Sequence, residues 1–221
     1  MGLVVITGGN RGIGLELARL FVADGRDVVL GIRDIATAPP LPAQVLPLDV
    51  SDDMSVAEFA SQLGDQPIDL LINNAGVIGP ERQSSLDMDY AGFLETLNVN
   101  TIGPLRVTQA LLGNLRKSAA AKLVILTSRM GSLTYAKSDR IAYRASKAAA
   151  NKVVQCLATD LEPMGIAVAA IHPGWVRTDL GGPSADIAPD ESVRGIKAVI
   201  ETLSLALSGR FWNYDGSELA W

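Results

Sequence analysis

Cysteine and histidine are nearly absent from this 221-residue sequence, which has one of each. Cys156 on its own cannot form an internal disulfide or a cysteine-rich metal site, and no metal centre is implied. Because Cys156 falls in an apolar helical stretch, we expect its thiol to be buried. With His172 as the only histidine, a Ser-His-Asp triad elsewhere in the chain is excluded.

Long apolar runs and clusters of basic charge are also missing. No run approaches the roughly 18 apolar residues of a membrane span, and the basic residues of this chain, whose net charge is −5, are scattered. We therefore expect neither a membrane association nor a nucleic-acid partner. Residues 1–6 lead directly into an apolar strand, which leaves no room for a targeting segment and predicts a cytoplasmic protein.

Short β-rich runs alternate with helical patterns along the whole chain. The predicted strands are Leu3–Thr7, Asp27–Ile32, Gln44–Leu48, Ile68–Ile72, Lys122–Thr127, Ile166–Ile171 and Arg210–Tyr214. The predicted helices span residues 12–24, 53–63, 88–113, 140–162 and 190–206. Several strands are apolar on both faces, as a parallel strand covered by helices on each side requires. The pattern predicts a single α/β domain over residues 1–221, built on a doubly wound parallel sheet of Rossmann type with helices on both faces.

A glycine-rich turn joins the first predicted strand to the first helix, with the spacing Gly-x-x-x-Gly-x-Gly at Gly8, Gly12 and Gly14. Glycine permits a tight turn and lets the backbone approach a pyrophosphate, and the helix N-terminus adds free N–H groups and a partial positive charge. The strand before and the helix after favour a dinucleotide site over a turn that binds nothing.

Two further motifs follow in order, Asn73-Asn74-Ala75-Gly76 after the fourth strand and Tyr143-Arg144-Ala145-Ser146-Lys147 in the fourth helix. With the glycine-rich turn they resemble the short-chain dehydrogenase/reductase family of classical type, over nearly the whole chain. The aromatic tail from Gly209 to Trp221 is similar to the ending of the C-factor-like carbonyl reductase branch. The resemblance implies an oxidoreductase that reduces an aldehyde or ketone to an alcohol, or the reverse, by hydride transfer.

The resemblance also implies which residues hold a nicotinamide dinucleotide. They are Gly8, Asn10, Arg11, Gly12, Ile13, Gly14, Arg33, Asp49, Val50, Asn74, Ala75, Gly76, Tyr143, Lys147, Pro173, Gly174, Val176 and Thr178. Among them Asp49 would approach the adenine, Asn74 would support the sheet behind the cofactor, and Thr178 would bond the nicotinamide carboxamide. His172, which precedes the matching Pro-Gly segment, is expected to be non-catalytic because the family uses no histidine there.

The end of the second strand distinguishes NAD from NADP, because an acid there bonds the ribose 2′-OH and a basic residue accommodates the 2′-phosphate. Asp34 lies about 20 residues after the turn and fits an NAD-type acid. In the family, however, the deciding position is Ile32, which cannot accept a hydrogen bond; Arg33 follows it, and Arg11 lies inside the turn. We therefore predict NADP(H), with Arg33 as a solvated loop charge as the alternative.

Tyr143 and Lys147 are spaced i, i+4, so both side chains project from one face of a helix. A nearby ammonium favours the phenolate and lowers the pKa of a tyrosine, as does the positive charge of oxidised nicotinamide. In the reducing direction Tyr143 would give its proton to the substrate oxygen as hydride reaches the carbon.

The resemblance adds two residues to this pair. Ser128, at the end of the fifth strand, would orient the substrate carbonyl. Asn100 would hold a water linked to the catalytic lysine; Asn98 competes for that role, but Gly103 three residues after Asn100 favours the latter.

Substrate selection is expected from the short loop 179–189, which predicts a small lid over a rather open pocket for a small carbonyl or alcohol compound. Gly181 and Gly182 would let this loop move. In the tail, Phe211 and Trp212 are interpreted as core residues. The alternative is that Tyr214 or Trp221 forms a pocket wall or a subunit contact.

For assembly and for function, the sequence leaves alternatives open. The resemblance predicts a homodimer or homotetramer that associates through the helices near 88–113 and 140–162. A dinucleotide-sensing or signalling protein on the same fold, with little turnover, is the rival from another class. An isomerase or dehydratase using the same residues is a third possibility.

Overall fold

The computed structural model describes residues 2–221. Its strands form one seven-stranded parallel sheet in the order β3-β2-β1-β4-β5-β6-β7. The strands are β1 (Leu3–Thr7), β2 (Asp27–Ile32), β3 (Gln44–Pro47), β4 (Ile68–Asn73), β5 (Lys122–Leu126), β6 (Ala167–His172) and β7 (Arg210–Asn213). The predicted doubly wound sheet is therefore confirmed, and every strand end lies within one residue of its predicted position.

Helices cover both faces of this sheet. They are α1 (Gly12–Ala23), α2 (Asp53–Leu63), α3 (Tyr90–Leu97), α4 (Gly103–Ala110), α5 (Leu112–Leu115), α6 (Ile141–Leu161) and α7 (Pro189–Thr202). Because side chains alternate across a strand, Val5 packs in the layer that contains Val154 of α6, whereas Val4 packs in the layer that contains Leu17 of α1 and Ile196 of α7.

The prediction of one continuous helix over residues 88–113 was wrong. A π-helical turn, Asn98–Ile102, separates α3 from α4. Pro104, in the first turn of α4, has no backbone N–H, and in a regular α-helix its ring would clash with the carbonyl four residues earlier, that of Asn100. The wider π turn avoids this clash, and such turns are frequent at functional sites.

The expected burial of Cys156 was also wrong, because the residue is exposed on α6. The buried positions Val154, Leu157, Ala158 and Leu161 recur with helical spacing, and Cys156 falls outside that face. In the tail, Phe211 is fully buried and stacks on Trp221 with ring centroids 5.4 Å apart, as core residues do. No helix within residues 2–221 is long and apolar enough to cross a membrane.

The strand order reverses between β1 and β4, whose carboxyl ends pair at Thr7 and Asn73. Ligands of doubly wound folds bind in the crevice at this reversal. The glycine-rich turn follows β1 directly, and the Asn73–Gly76 motif begins at the last residue of β4. The topology therefore brings the first two sequence motifs together at one edge of the sheet.

Candidate active site

The glycine-rich turn needs glycine at each of its three predicted positions. Gly8 and Gly12 have φ values of +70° and +55°, in the left-handed region that glycine adopts readily. A Cβ at Gly14 would collide with the carbonyl oxygen of Gly8 and with the Asn74 amide. Arg11, which precedes α1, gives the helix no side-chain cap, so N–H groups of the first turn stay available for an anion.

Asn74 connects this turn to the end of β4. Its Nδ2 donates to the carbonyl oxygens of Thr7 and Gly8, each at 2.9 Å. The Thr7 hydroxyl oxygen accepts from the backbone N–H groups of Asn74 and Ala75, each at 3.0 Å. These bonds hold the two loops of the crevice together.

At the second strand, the candidate NAD-type acid has another partner. The Asp34 carboxylate accepts the backbone N–H of Ala36 at 3.0 Å and caps the 3-10 turn Ile35–Thr37. Arg33 is exposed beside it. On the glycine-rich turn, Asn10 Nδ2 donates to the Thr37 hydroxyl oxygen at 2.8 Å, which ties this turn to the loop after β2.

Asp49 and Val50 follow β3 on the same edge of the sheet, and Val50 is buried. The Asp49 carboxylate accepts from the backbone N–H and hydroxyl of Ser51, at 2.9 and 2.6 Å. Burial acts to raise the pKa of Asp49, but the hydrogen bonds from Ser51 and the charges of Arg33 and Arg106 outweigh it, and the pKa lies below its usual value. Asp49 is thus an ionised acceptor at neutral pH.

The Tyr143 phenol is buried in the first turn of α6, with the Ser128 hydroxyl beside it. Lys147, one turn later, is buried as well; its Nζ lies 5.8 Å from the Tyr143 ring centroid and donates to the Leu126 carbonyl oxygen at 2.9 Å. The structure therefore brings Tyr143, Ser128 and Lys147 together at the carboxyl end of β5.

Burial dominates the ionisation of this cluster. It raises the pKa of Tyr143; the Ser128 hydroxyl and the charge of Arg140 oppose that rise without cancelling it. Burial also lowers the pKa of Lys147 to about 8, because the interior disfavours its ammonium form. The decrease expected for the pKa of Tyr143 is thus not found in the protein chain itself.

Asn100 lies in the π turn and reaches the same cluster. Its Oδ1 accepts the backbone N–H of Val77 at 2.8 Å, and its Nδ2 donates to the Val77 carbonyl oxygen at 2.8 Å and to the Ser146 hydroxyl at 3.0 Å. A Cβ built on Gly76 would lie 3.1 Å from Asn100 Oδ1 and 3.6 Å from Lys147 Nζ, so Gly76 is next to both side chains.

The competing Asn98 is oriented elsewhere. Its Nδ2 donates to the Ser51 carbonyl oxygen at 3.1 Å, and its Oδ1 accepts from Arg106 at 3.3 Å. Both partners belong to the region around the β3 end and α4. The geometry therefore favours Asn100 over Asn98 as the asparagine next to Lys147.

Gln83 was missed in the sequence, although it contacts the residue predicted to react. This buried side chain accepts the backbone N–H of Tyr143 at 3.2 Å, and its Nε2 donates to the carbonyl oxygens of Ile78 and Pro80 at 3.0 and 2.7 Å. The Gln83 carbonyl oxygen accepts the N–H of Ile141 at 3.0 Å. No motif signals this role, because Gln83 lies 60 residues before Tyr143.

A cavity of about 390 Å³ opens above these groups. Its lining includes the reacting candidates and the segment after β6: Ile13, Ser128, Tyr143, His172, Pro173, Gly174, Val176 and Thr178. Ile78, Trp175 and Leu180 add apolar walls. Tyr214 and Trp221, the alternative pocket walls from the tail, are not part of this lining.

The loop after Thr178 is tied down more firmly than expected. Trp175 Nε1 donates to the Gly181 carbonyl oxygen at 2.8 Å, and a Cβ at Gly181 would collide with the Val176 carbonyl. Gly182 has open space around it and a φ of +81°. Of the two glycines expected to permit movement, only Gly182 is unconstrained by packing.

His172 lies at the end of β6 and lines the cavity. Burial, reinforced by the charge of Arg129, lowers its pKa to about 3, although the charge of Asp215 acts in the opposite direction. The imidazole is therefore neutral near pH 7 and is no source of positive charge in the cavity.

Comparisons with known proteins agree with this geometry. The sequence profile of the family described as short chain dehydrogenase matches residues 2–187. The C-signal protein of Myxococcus xanthus is 47% identical over 165 residues, which cover 74% of this chain and 98% of that protein. The 1-hydroxy-2-glutathionyl-2-methyl-3-butene dehydrogenase of Rhodococcus sp. (strain AD45) is 34% identical over 230 residues and is covered completely, as is this chain.

Among solved structures, the NADPH-bound carbonyl reductase from chicken fatty liver is similar with a TM-score of 0.92 and 32% identity. The match covers 100% of this chain and 99% of that one. The chain belongs to the short-chain dehydrogenase/reductase family, as an oxidoreductase of the carbonyl reductase and C-factor type. The family resemblance in the sequence is therefore confirmed.

Proposed function

We propose that this protein is an NADPH-dependent carbonyl reductase, or an alcohol dehydrogenase in the reverse direction, with Tyr143 as the general acid and base. The observation that carries the proposal is the buried Tyr143 phenol, with Ser128 beside it and the Lys147 Nζ 5.8 Å from its ring centroid. A phenol that lines the cavity, with an ammonium one helical turn away, suits proton transfer to a carbonyl oxygen.

In the reducing direction, the nicotinamide cofactor supplies the hydride when bound. Tyr143 donates its phenolic proton to the substrate oxygen; the raised pKa keeps this proton in place at neutral pH. Ser128 orients the carbonyl oxygen, and Lys147 binds the cofactor ribose and favours the phenolate once the proton has left. Asn100 supports a water that returns a proton towards Lys147.

The choice of NADP(H) is supported at the other end of the crevice. Asp34, the candidate partner for a ribose 2′-OH, caps a 3-10 turn, whereas Arg33 is exposed and free of a carboxylate partner within residues 2–221. Arg11 is also exposed, and its contact with Asp179 at 3.3 Å is a surface pair that a phosphate can replace. The chicken carbonyl reductase was crystallised with NADPH bound.

A second candidate is a dinucleotide-sensing or signalling protein on the same fold, which the relative named C-signal favours. Two measurements, made one after the other, distinguish the two candidate functions. NADPH binding is measured by titration, and oxidation of bound NADPH is then followed with panels of aldehydes, ketones and quinones. We expect turnover on at least one panel; tight binding with no turnover on any would favour the sensor.

Assembly into a homodimer or homotetramer is part of the proposal. Three apolar side chains of the expected interface region are exposed in the monomer, Tyr90, Leu94 and Ile102. Exposed apolar groups close together on adjoining helical segments suit a subunit contact. Light scattering coupled to size exclusion tests this, and a monomeric mass would contradict it.

A further inference from the structure

The segment between Ser128 and α6 carries an excess of positive charge into the cavity. Four basic residues and one acidic residue of this segment and the first turn of α6 line it: Arg129, Lys137, Asp139, Arg140 and Arg144. The chain as a whole has a net charge of −5. The local charge next to the reacting groups is therefore opposite to that of the protein.

Three of these cations surround one aromatic ring. Arg129 Cζ, Lys137 Nζ and Arg144 Cζ lie 5.9, 5.5 and 5.8 Å from the ring centroid of Tyr135. Each attraction to the ring is favourable, but like charges gathered around one ring repel one another. An anion placed beside Arg129 and Lys137 would relieve that repulsion.

The one acidic side chain of the segment does not neutralise the group. Asp139 is engaged by Arg144, whose NH2 lies 2.6 Å from its carboxylate. Arg129, Lys137 and Arg140, here called the cationic cluster, have no carboxylate within 4.0 Å among residues 2–221. The cluster is therefore left with its full charge.

The cationic cluster acts on the reaction site. Arg140 lies three residues before Tyr143 and, against the dominant effect of burial, its charge acts to lower the pKa of that phenol. Arg140 also has a φ of +53°, a conformation that is rare in residues with a Cβ and is found at functional sites. The charge of Arg129 also lowers the pKa of His172, which lines the same cavity, although burial lowers it more.

The cofactor does not explain these cations. Its pyrophosphate is expected at Gly8–Gly14, and its 2′-phosphate at Arg11 and Arg33, near the ends of β1 and β2. The cationic cluster instead follows β5 and precedes α6. It therefore faces the part of the cavity where a substrate must lie to reach Tyr143.

We infer that the substrate is a carbonyl compound that carries an anionic group, a carboxylate or a phosphate, held against Arg129, Lys137 and Arg140. The apolar walls at Ile78 and Trp175 contact the remainder of the molecule. This inference rests on the proposed function, because it names the substrate class of the same site.

The test uses three aldehydes that differ in charge: 4-formylbenzoate, 4-formylphenyl phosphate and the neutral methyl 4-formylbenzoate. kcat and KM are measured with NADPH for the wild-type protein and for the triple variant Arg129→Gln, Lys137→Gln, Arg140→Gln. Lys152→Gln, which removes an exposed cation on α6 that does not line the cavity, is the matched control. Comparing each aldehyde between proteins cancels the differences in intrinsic carbonyl reactivity.

For the triple variant we expect the ratio of kcat/KM for at least one anionic aldehyde to kcat/KM for the neutral ester to fall about tenfold, mainly through a higher KM for the anionic aldehyde. We expect each exposed cation to raise kcat/KM for an anionic aldehyde by a factor of about two to five. The loss in the triple variant should shrink as salt is added. The anionic aldehyde that responds identifies carboxylate or phosphate as the group. Equal responses of anionic and neutral aldehydes would overturn the inference.

Binding separates this inference from the proposed function. If no aldehyde is reduced, the proposed function fails, and calorimetry with the NADPH-loaded protein decides the inference alone. The probes are then 4-(hydroxymethyl)benzoate, 4-(hydroxymethyl)phenyl phosphate and methyl 4-(hydroxymethyl)benzoate. We expect an anionic alcohol to bind more tightly than the neutral ester in the wild-type protein and to lose that advantage in the triple variant; equal affinities in the wild type would overturn the inference.

Discussion

The side-chain oxygen of Gln83 accepts the backbone N–H of Tyr143 at 3.2 Å. The backbone carbonyl of Gln83 accepts the N–H of Ile141, the first residue of α6. Gln83 therefore fixes the first helical turn of α6, where no side-chain cap from Arg140 does so. Since Tyr143 lies in this turn, a side chain from a distant loop positions the proposed acid.

Replacing Gln83 by leucine removes the acceptor for Tyr143 and the donors to Ile78 and Pro80. We expect kcat to fall about tenfold or more, because small displacements of a reacting group are costly, while the Kd for NADPH changes little. Gln83→Glu keeps an oxygen acceptor and should recover part of kcat. Gln155→Leu, which removes a glutamine side chain on α6, is the control; unchanged kcat in Gln83→Leu would refute the positioning role.

The pKa of Lys147, lowered by burial to about 8, predicts the pH dependence of the free enzyme. Lys147 is charged below that pH and loses its charge as the pH rises through it, whereas the raised pKa of Tyr143 keeps the phenol protonated there. The value of kcat/KM for NADPH should therefore decline above about pH 8. A profile that stays flat to about pH 10 would show that the ammonium is not required.

Arg33→Ala tests the cofactor preference. If Arg33 contacts the 2′-phosphate, its loss should raise the Kd for NADPH about tenfold, the size of a charge-assisted hydrogen bond. The Kd for NADH should change by less than about twofold, because NADH lacks that phosphate. Arg19→Ala, which removes an exposed arginine on α1, serves as control. Equal changes for both cofactors would count against the assignment.

The close packing of Gly131, in the loop that carries Ser128, predicts that a larger residue there lowers the stability of the protein. A Cβ at Gly131 would lie 2.6 Å from the Lys147 carbonyl carbon and 2.7 Å from the Ala148 nitrogen, both backbone atoms of α6. Gly131→Ala should therefore lower the free energy of unfolding by about 1–3 kcal/mol. Gly113→Ala, with open space and a helical setting, should have no such cost. Denaturant unfolding of both variants compares them, and equal midpoints would contradict the packing argument.

The sequence predicted the strands well because their information is local. Leu3–Thr7 is apolar on both faces and ends at a glycine-rich turn, so the hydrophobic pattern and the turn residues predict the same strand. The helix over residues 88–113 failed because its amphipathic period continues through the π turn, although Pro104 marked a break.

In the candidate site too, motif residues could be predicted from the sequence, whereas tertiary contacts could not. Asn100 and Asn98 are two residues apart, and the sequence favours Asn100 only through Gly103, whereas the fold shows directly that Asn100 reaches Ser146 and Gly76. Gln83 and the ring contacts of Tyr135 depend on loops that meet in space, so no spacing rule predicts them.

Tyr143→Phe tests the central claim most directly, because it removes one hydroxyl and preserves the buried ring. The measurement pairs carbonyl-dependent NADPH oxidation with NADPH binding by titration, and Tyr90→Phe on the exposed face of α3 is the control. We predict that turnover falls by about 10² to 10⁴ while the Kd for NADPH stays within about twofold. Turnover close to the wild-type rate would contradict Tyr143 as the acid and base.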